Sequence, residues 1–162
     1  MISRMNSSTS EELADPDGVS REHVLKRLFD WRDRVHQLYD QVERELEGTP
    51  FRSHRKGKYR SAEEFPQRVG VAPREQPEID VLRIIRPDNT DAAVFYPRGL
   101  WVVGANGQID LRIKPSLGGT RTYVLLDKSE PFARPARWIR IPIGSPFDRE
   151  PFDPHWLISK LH

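Results

Sequence analysis

A stripe of large apolar residues near the start of the chain constrains the fold more than any other feature of the sequence. It repeats at intervals of three and four residues and consists of Val24, Leu28, Trp31, Val35, Leu38, Val42 and Leu46. Residues at these intervals lie along one side of an α-helix, so the pattern predicts a long amphipathic helix over residues 20–48. Ser20 is a suitable N-cap, and Gly48 followed by Pro50 is a typical helix stop.

Two uses of this helix are consistent with the pattern. Leu25 and Phe29 lie beside the stripe and widen it to the width of a helix that covers a core, with Trp31 and Tyr39 as large anchors. The near-heptad spacing also suits pairing of two chains, which makes a homodimer through the N-terminal helix the alternative. At 1.5 Å per residue the helix would be about 40 Å long, so the two uses could divide its length. Packing on a core is the favoured interpretation.

Charged side chains on the helix show no catalytic pattern. The acidic pairs Asp30 with Asp33 and Glu43 with Glu47 have arginines such as Arg34 as near neighbours. We interpret them as solvated faces with weak ion pairs, which is the usual role of such patterns.

The second half of the chain has the period of two that is typical of β-strands. Short turns rich in glycine, proline and asparagine separate the predicted strands, which span residues 79–85, 92–96, 100–104, 108–113, 122–126 and 138–143. Asn106-Gly107 predicts a tight hairpin, because this pair readily adopts positive φ values. Asp153 followed by Pro154 predicts a short C-terminal helix.

A basic segment separates the helix from the predicted strands. Residues 49–77 carry five arginines and lysines within nine residues, followed by Pro66, Pro73 and Pro77. Prolines remove backbone donors and interrupt helices, so we expect an exposed, irregular connector with a short helical turn near residues 61–65.

These elements predict an α+β fold in which the long helix packs on an antiparallel sheet. The sheet, or partly closed barrel, would have about five strands over residues 78–162, within a single domain at residues 20–162. Residues 1–19 are rich in serine and acids and have no apolar period, so they are predicted to be a disordered tail.

Composition narrows the classes of function. The chain has 162 residues, a net charge of +2 and no cysteine. The absence of cysteine excludes disulfides and thiol nucleophiles, and the histidine spacing argues against a metal site. No apolar run has the roughly 20 residues of a transmembrane helix, so we expect a cytoplasmic protein without a membrane partner. No phosphate-binding loop or dinucleotide fingerprint occurs, and no cofactor is predicted.

One loose catalytic pattern occurs among the strands. Asp88 follows a proline, and Asp110-Leu111-Arg112 follows further on, which imitates the acid-x-Lys triplet of restriction-nuclease-like magnesium sites. Arg112 occupies the lysine position but binds as a fork rather than a compact ammonium, and Lys114 lies two residues too late. A degenerate metal-dependent nuclease that uses Asp88, Asp110 and Lys114 is therefore the least favoured function. The simpler interpretation places Asp88 in a turn and Asp110 in a hairpin.

The basic segment is the candidate for nucleic-acid binding. Its candidate residues are Arg52, Arg55, Lys56, Lys58, Tyr59 and Arg60. The cations would contact phosphates while an aromatic ring stacks on a base. The rest of the chain has no basic field, so a solvated linker is the alternative interpretation.

The order of several motifs resembles that of small uncharacterised bacterial proteins. Those proteins pair a Trp/Leu-Tyr helix, here Trp31 and Leu38-Tyr39, with a hairpin of Pro-x-Gly and Gly-x-hydrophobic-Asp, here residues 97–99 and 107–110. The resemblance covers residues 20–162. It implies the fold and a structural role for the aspartate of the hairpin, but no activity. The leading interpretation is a non-catalytic interaction module whose sheet face or edge binds a protein partner.

Overall fold

The computed structural model describes residues 18–59 and 63–162. The elements in chain order are α1 (Arg21–Leu46), β1 (Arg52–Tyr59), α2 (Glu64–Arg68), a 3₁₀ turn (Pro73–Glu75), β2 (Ile79–Ile85), β3 (Asp91–Gly99), β4 (Gln108–Ile113), β5 (Arg121–Asp127), β6 (Trp138–Pro142), β7 (Glu150–Pro151) and α3 (Pro154–Lys160). The predicted tail at residues 1–19 lies outside the described residues except for its last two.

The strands form one open antiparallel sheet whose spatial order follows the chain. In the described residues it has seven strands, from β1 at one edge to β7 at the other, and each is antiparallel to the next. The predicted α+β fold with a long N-terminal helix, an antiparallel sheet and a short C-terminal helix is confirmed. The barrel alternative is replaced by the open sheet.

The apolar stripe of α1 is buried along its whole length. Exposed fractions run from 0% at Val24 to 5% at Leu46, and the stripe belongs to one core cluster with the sheet. Ser20 caps the helix as predicted, because its hydroxyl accepts a hydrogen bond from the His23 amide at 3.2 Å. Tyr39 donates its hydroxyl proton to the Asp80 carbonyl at 2.7 Å. The stripe is therefore used within the chain and is not available for pairing with a second copy.

The expectation of an irregular connector is wrong over the first part of the basic segment. Residues of β1 pair with β2 in register from Arg52 opposite Ile85. The sequence pattern did not predict this strand, because the residues of β1 that face the helix are polar. Ser53 Oγ and Arg55 Nε bind the Glu43 carboxylate of α1 at 2.5 and 2.8 Å, so an acidic side chain replaces the apolar partner that would have produced a visible alternation. The predicted helical turn near residues 61–65 lies partly outside the described residues, and α2 begins at Glu64.

The predicted tight hairpin at Asn106-Gly107 is also wrong. Residues 100–104 are not a strand; β3 extends to Gly99 and pairs directly with β4, and residues 100–107 form the connection. Contacts distant in sequence hold this connection: the Asn106 amide donates to the Asp127 carbonyl at 2.8 Å. Gly107 has a φ of +121°, and a Cβ there would overlap the Trp31 ring. A glycine is thus required at position 107 by the close approach of α1 rather than by a two-residue turn.

A buried ionic cluster joins α1 to this connection and to β5. The Arg34 side chain is 0% exposed; its Nε donates to Asp30 Oδ2 at 2.8 Å and its Nη1 donates to the Asn106 carbonyl at 2.6 Å and to Asp127 Oδ2. Arg134 Nη2 lies 2.8 Å from the second oxygen of Asp30. The interpretation of Asp30 and Arg34 as a solvated pair is therefore wrong, because both side chains are buried and Arg34 has a second carboxylate partner, Asp127, on β5.

Replacing Arg34 by methionine is expected to lower the free energy of unfolding by about 3–5 kcal/mol, because Asp127 would remain buried without its countercharge. Urea unfolding measures the change. The control is Arg32→Met on the same helix: Arg32 is 34% exposed and pairs with the adjacent Asp33, so it should lose less than about 1 kcal/mol. Equal losses in the two variants would contradict the assignment of Arg34 as the link between helix and sheet.

Candidate interaction surface

The two faces of the sheet have different surroundings. Phe95 contacts Tyr39 of α1 with ring centroids 5.8 Å apart, and Tyr123 contacts Trp156 of α3 at 5.1 Å. Both helices therefore lie on the face that carries these residues, the inner face. Alternate side chains of a strand point to opposite sides, so the residues between them form the outer face.

Cross-strand pairing aligns the outer-face side chains in three rows. The first row is His54, Arg83, Val94, Arg112 and Thr122. The second is Tyr96, Asp110, Val124 and Ile141. The third is Gln108, Leu126 and Ile139. Basic side chains thus lie on β1, β2 and β4, and half-buried aliphatic side chains concentrate on β5 and β6.

Tyr96 lies at the centre of the outer face between two guanidinium groups. The Cζ atoms of Arg98 and Arg112 are 5.7 and 4.9 Å from its ring centroid, within cation–π range. Stacking on a ring restricts a guanidinium to few orientations. The aromatic ring therefore limits the orientations of both guanidinium groups.

The two arginines beside Tyr96 differ in their charge compensation. Arg98 Nε donates to Asp110 Oδ2 at 2.6 Å, and Gln108 Nε2 donates to the other oxygen of Asp110 at 3.2 Å. In the same way Arg83 is paired with Asp91 at 2.6 Å. Arg112 has no carboxylate within ion-pair distance among residues 18–59 and 63–162. The charge of Arg112 is therefore not compensated by a described carboxylate.

The candidate nucleic-acid residues are not gathered on one side of β1. Arg55 lies on the inner face, where its Nη2 is 2.6 Å from Asp40 and its Nε binds Glu43. Arg52 donates to the side chain of Asn89, and Lys56 is exposed on the outer face. Lys58 and Tyr59 lie at the end of the strand, and Arg60 lies outside the described residues. The charge of Arg55 is thus used to hold the strand on the helix.

The candidate nuclease residues are far apart. Asp88 lies in the β2–β3 turn, where its Oδ1 accepts hydrogen bonds from the Thr90 hydroxyl at 2.6 Å and the Thr90 amide at 3.0 Å; these bonds lower the pKa of the Asp88 carboxyl. Asp110 pairs with Tyr96, five residues along β3 from Asp91 at the turn, which is about 17 Å at 3.3 Å per residue. Lys114 lies 4.0 Å from Asp91 instead.

The described part of the chain offers no cluster of metal-ligating residues. No group of three histidine or acidic side chains suited to a metal occurs among its residues. None of its helices has the length and apolar composition of a membrane-spanning segment.

The group of Tyr96, Arg98 and Arg112 was not identified as a unit from the sequence. A signal was present in β4, where Gln108, Asp110 and Arg112 alternate with apolar residues. This alternation alone did not reveal the group, because the predicted pairing of β4 with residues 100–104 is wrong and the strand beside Arg112 is β3.

Comparison with known proteins adds no further guidance: no protein-family model, curated protein or solved structure matches the chain.

Replacing Arg55 by glutamine is expected to lower the free energy of unfolding by about 1 kcal/mol, because this arginine binds two carboxylates of α1 and is only 26% exposed. The adjacent Lys56→Gln variant is the matched control and should change stability by less than about 0.5 kcal/mol. Thermal or urea unfolding measures both. A neutral Arg55→Gln would show that its ion pairs do not hold β1 against the helix.

Proposed function

We propose that the chain is a non-catalytic module that binds an acidic segment of a partner protein on the outer face of its sheet. The observation that carries the proposal is the group of Tyr96, Arg98 and Arg112 at the centre of that face. Tyrosine and arginine are the residues that, with tryptophan, most often dominate the binding energy of protein interfaces.

The aliphatic half of the outer face supports a protein rather than a nucleic acid as the partner. Val124, Leu126, Ile139 and Ile141 line β5 and β6 beside the arginines, and such side chains give apolar contact area to a protein. Surfaces that bind single-stranded nucleic acid usually stack successive bases on several aromatic rings along a basic groove. Tyr96 and His54 are the aromatic residues of the three rows and lie on different strands, and the net charge of the whole chain is only +2.

The acidic character of the partner follows from Arg112. A guanidinium without an internal carboxylate can donate two parallel hydrogen bonds to a carboxylate from outside, and such pairs are among the stronger hydrogen-bonded pairs in proteins. Stacking on Tyr96 reduces the side-chain entropy that Arg112 would lose on binding. Lys56 adds a second exposed cation on the same face.

The test compares charge reversals on opposite sides of the molecule. Wild-type protein, Arg112→Glu and Arg44→Glu are immobilised and exposed to extract of the natural host, in parallel with and without nuclease treatment. Arg44 is exposed on α1, so its reversal changes the net charge equally without touching the outer face. Quantitative mass spectrometry should show a protein held by wild type and Arg44→Glu and reduced about tenfold or more by Arg112→Glu, and high salt should weaken its retention.

Three results would contradict the proposal. The first is a bound protein that Arg112→Glu retains as well as wild type does. The second is binding that nuclease abolishes, which would favour nucleic acid as the partner. The third is a wild-type protein that retains nothing in excess of the Arg112→Glu variant.

A further inference from the structure

A cavity of about 240 Å³ lies where α1 meets the β3–β4 and β5–β6 connections. It is on the inner side of the sheet and is separate from the outer face. Its polar lining includes Arg27, Asn106, Lys128, Ser129 and Glu130. The volume is below the roughly 300–1,000 Å³ of pockets for drug-sized ligands and suits a smaller molecule.

Arg27 contributes a poorly compensated positive charge to this cavity. Its Nη2 donates to the neutral Asn106 side chain at 2.9 Å, and its buried Nε has no hydrogen-bond partner within residues 18–59 and 63–162. Burial lowers the pKa of Arg27, and the nearby charge of Arg34 lowers it further. The charge of Asp30 raises this pKa, but Asp30 is already bound by Arg34 and Arg134. No carboxylate in the described part of the chain lies within ion-pair distance of Arg27.

Two further donors line the cavity. Lys128 Nζ donates to the Gly104 carbonyl at 2.7 Å. Among the described residues, Lys128 has no carboxylate partner and the buried Ser129 hydroxyl has no hydrogen-bond partner. A buried hydroxyl without a partner lacks the hydrogen bond that water or a ligand would supply.

The acidic residues of the lining do not cancel these cations. Asp127 is saturated, since its Oδ1 accepts the Ser129 and Arg137 amides at 2.8 and 3.0 Å and its Oδ2 binds Arg34. Glu130 is exposed to solvent, where its charge is screened.

We propose that this cavity binds a small oxyanion, a phosphate or carboxylate group carried by a small molecule. Arg27 and Lys128 supply the positive charge, and Ser129 donates its hydroxyl. The negative charge of the anion compensates the charge of Arg27, which the buried ionic cluster around Arg34 does not neutralise. Charge-assisted hydrogen bonds from the guanidinium of Arg27 and the ammonium of Lys128 fix the position of the anion.

The test is a titration of the isotope-labelled full-length chain followed by NMR. Inorganic phosphate is used in one arm, acetate in a second, and chloride at equal ionic strength in a third. Saturable shifts are expected for the backbone amides of Lys128 and Ser129 and for the side-chain Nε–H of Arg27 with phosphate, acetate or both, but not with chloride. Which anion saturates first identifies the favoured group.

Matched variants decide whether the site is the one proposed. Arg27→Gln should weaken binding about tenfold or more, the effect expected for one charge-assisted hydrogen bond, whereas Arg32→Gln on the same helix should leave it unchanged. If Arg27→Gln unfolds, Lys128→Gln serves in its place, because that side chain bonds only a loop carbonyl. The proposal is overturned if neither anion gives saturable shifts, if chloride reproduces them, or if the variants bind as tightly as wild type.

Discussion

The guanidinium of Arg34 lies fully buried at the point where α1, the β3–β4 connection and β5 meet. Its partners Asn106 and Asp127 are 72 and 93 residues away along the chain. Buried ion pairs often contribute little net stability relative to apolar residues, but breaking one leaves an expensive isolated charge. We therefore interpret Arg34 as a device that specifies one position of the helix on the sheet. With the inner face closed in this position, the outer face is left open and a cavity remains beside Arg27.

The predictable part of the fold is the part whose signal is local. The stripe from Val24 to Leu46 and the alternation in β2 repeat within a few residues, and both elements occur where they were expected. β1 could not be recognised because Ser53 and Arg55 face an acidic helix side rather than an apolar core. The loop at residues 100–107 was misread because its conformation depends on Arg34, Trp31 and Asp127, which lie far away in sequence.

The residues of the candidate site were also hard to predict from local sequence patterns. Neighbours in sequence suggested that Arg52, Arg55 and Lys56 act together, but alternation along the strand places Arg55 on the opposite face from Lys56. In the sequence, Arg112 was considered only because it occupies the lysine position of the nuclease pattern. Its position beside Tyr96 follows from strand register, which the sequence alone did not provide. An arginine that is held by carboxylates stabilises the fold, whereas an arginine without a carboxylate partner is available for binding. Telling the two kinds of arginine apart requires the tertiary structure.

The central claim is that a protein partner contacts the outer face and not the helix side. Site-specific photo-crosslinking in the natural host tests it directly, with a benzophenone amino acid at Thr122, which pairs with Arg112, and at Gln41, which is exposed on α1. The account predicts an adduct with a discrete protein from position 122 and none from position 41. An adduct from position 41 alone, or from neither position, would contradict it.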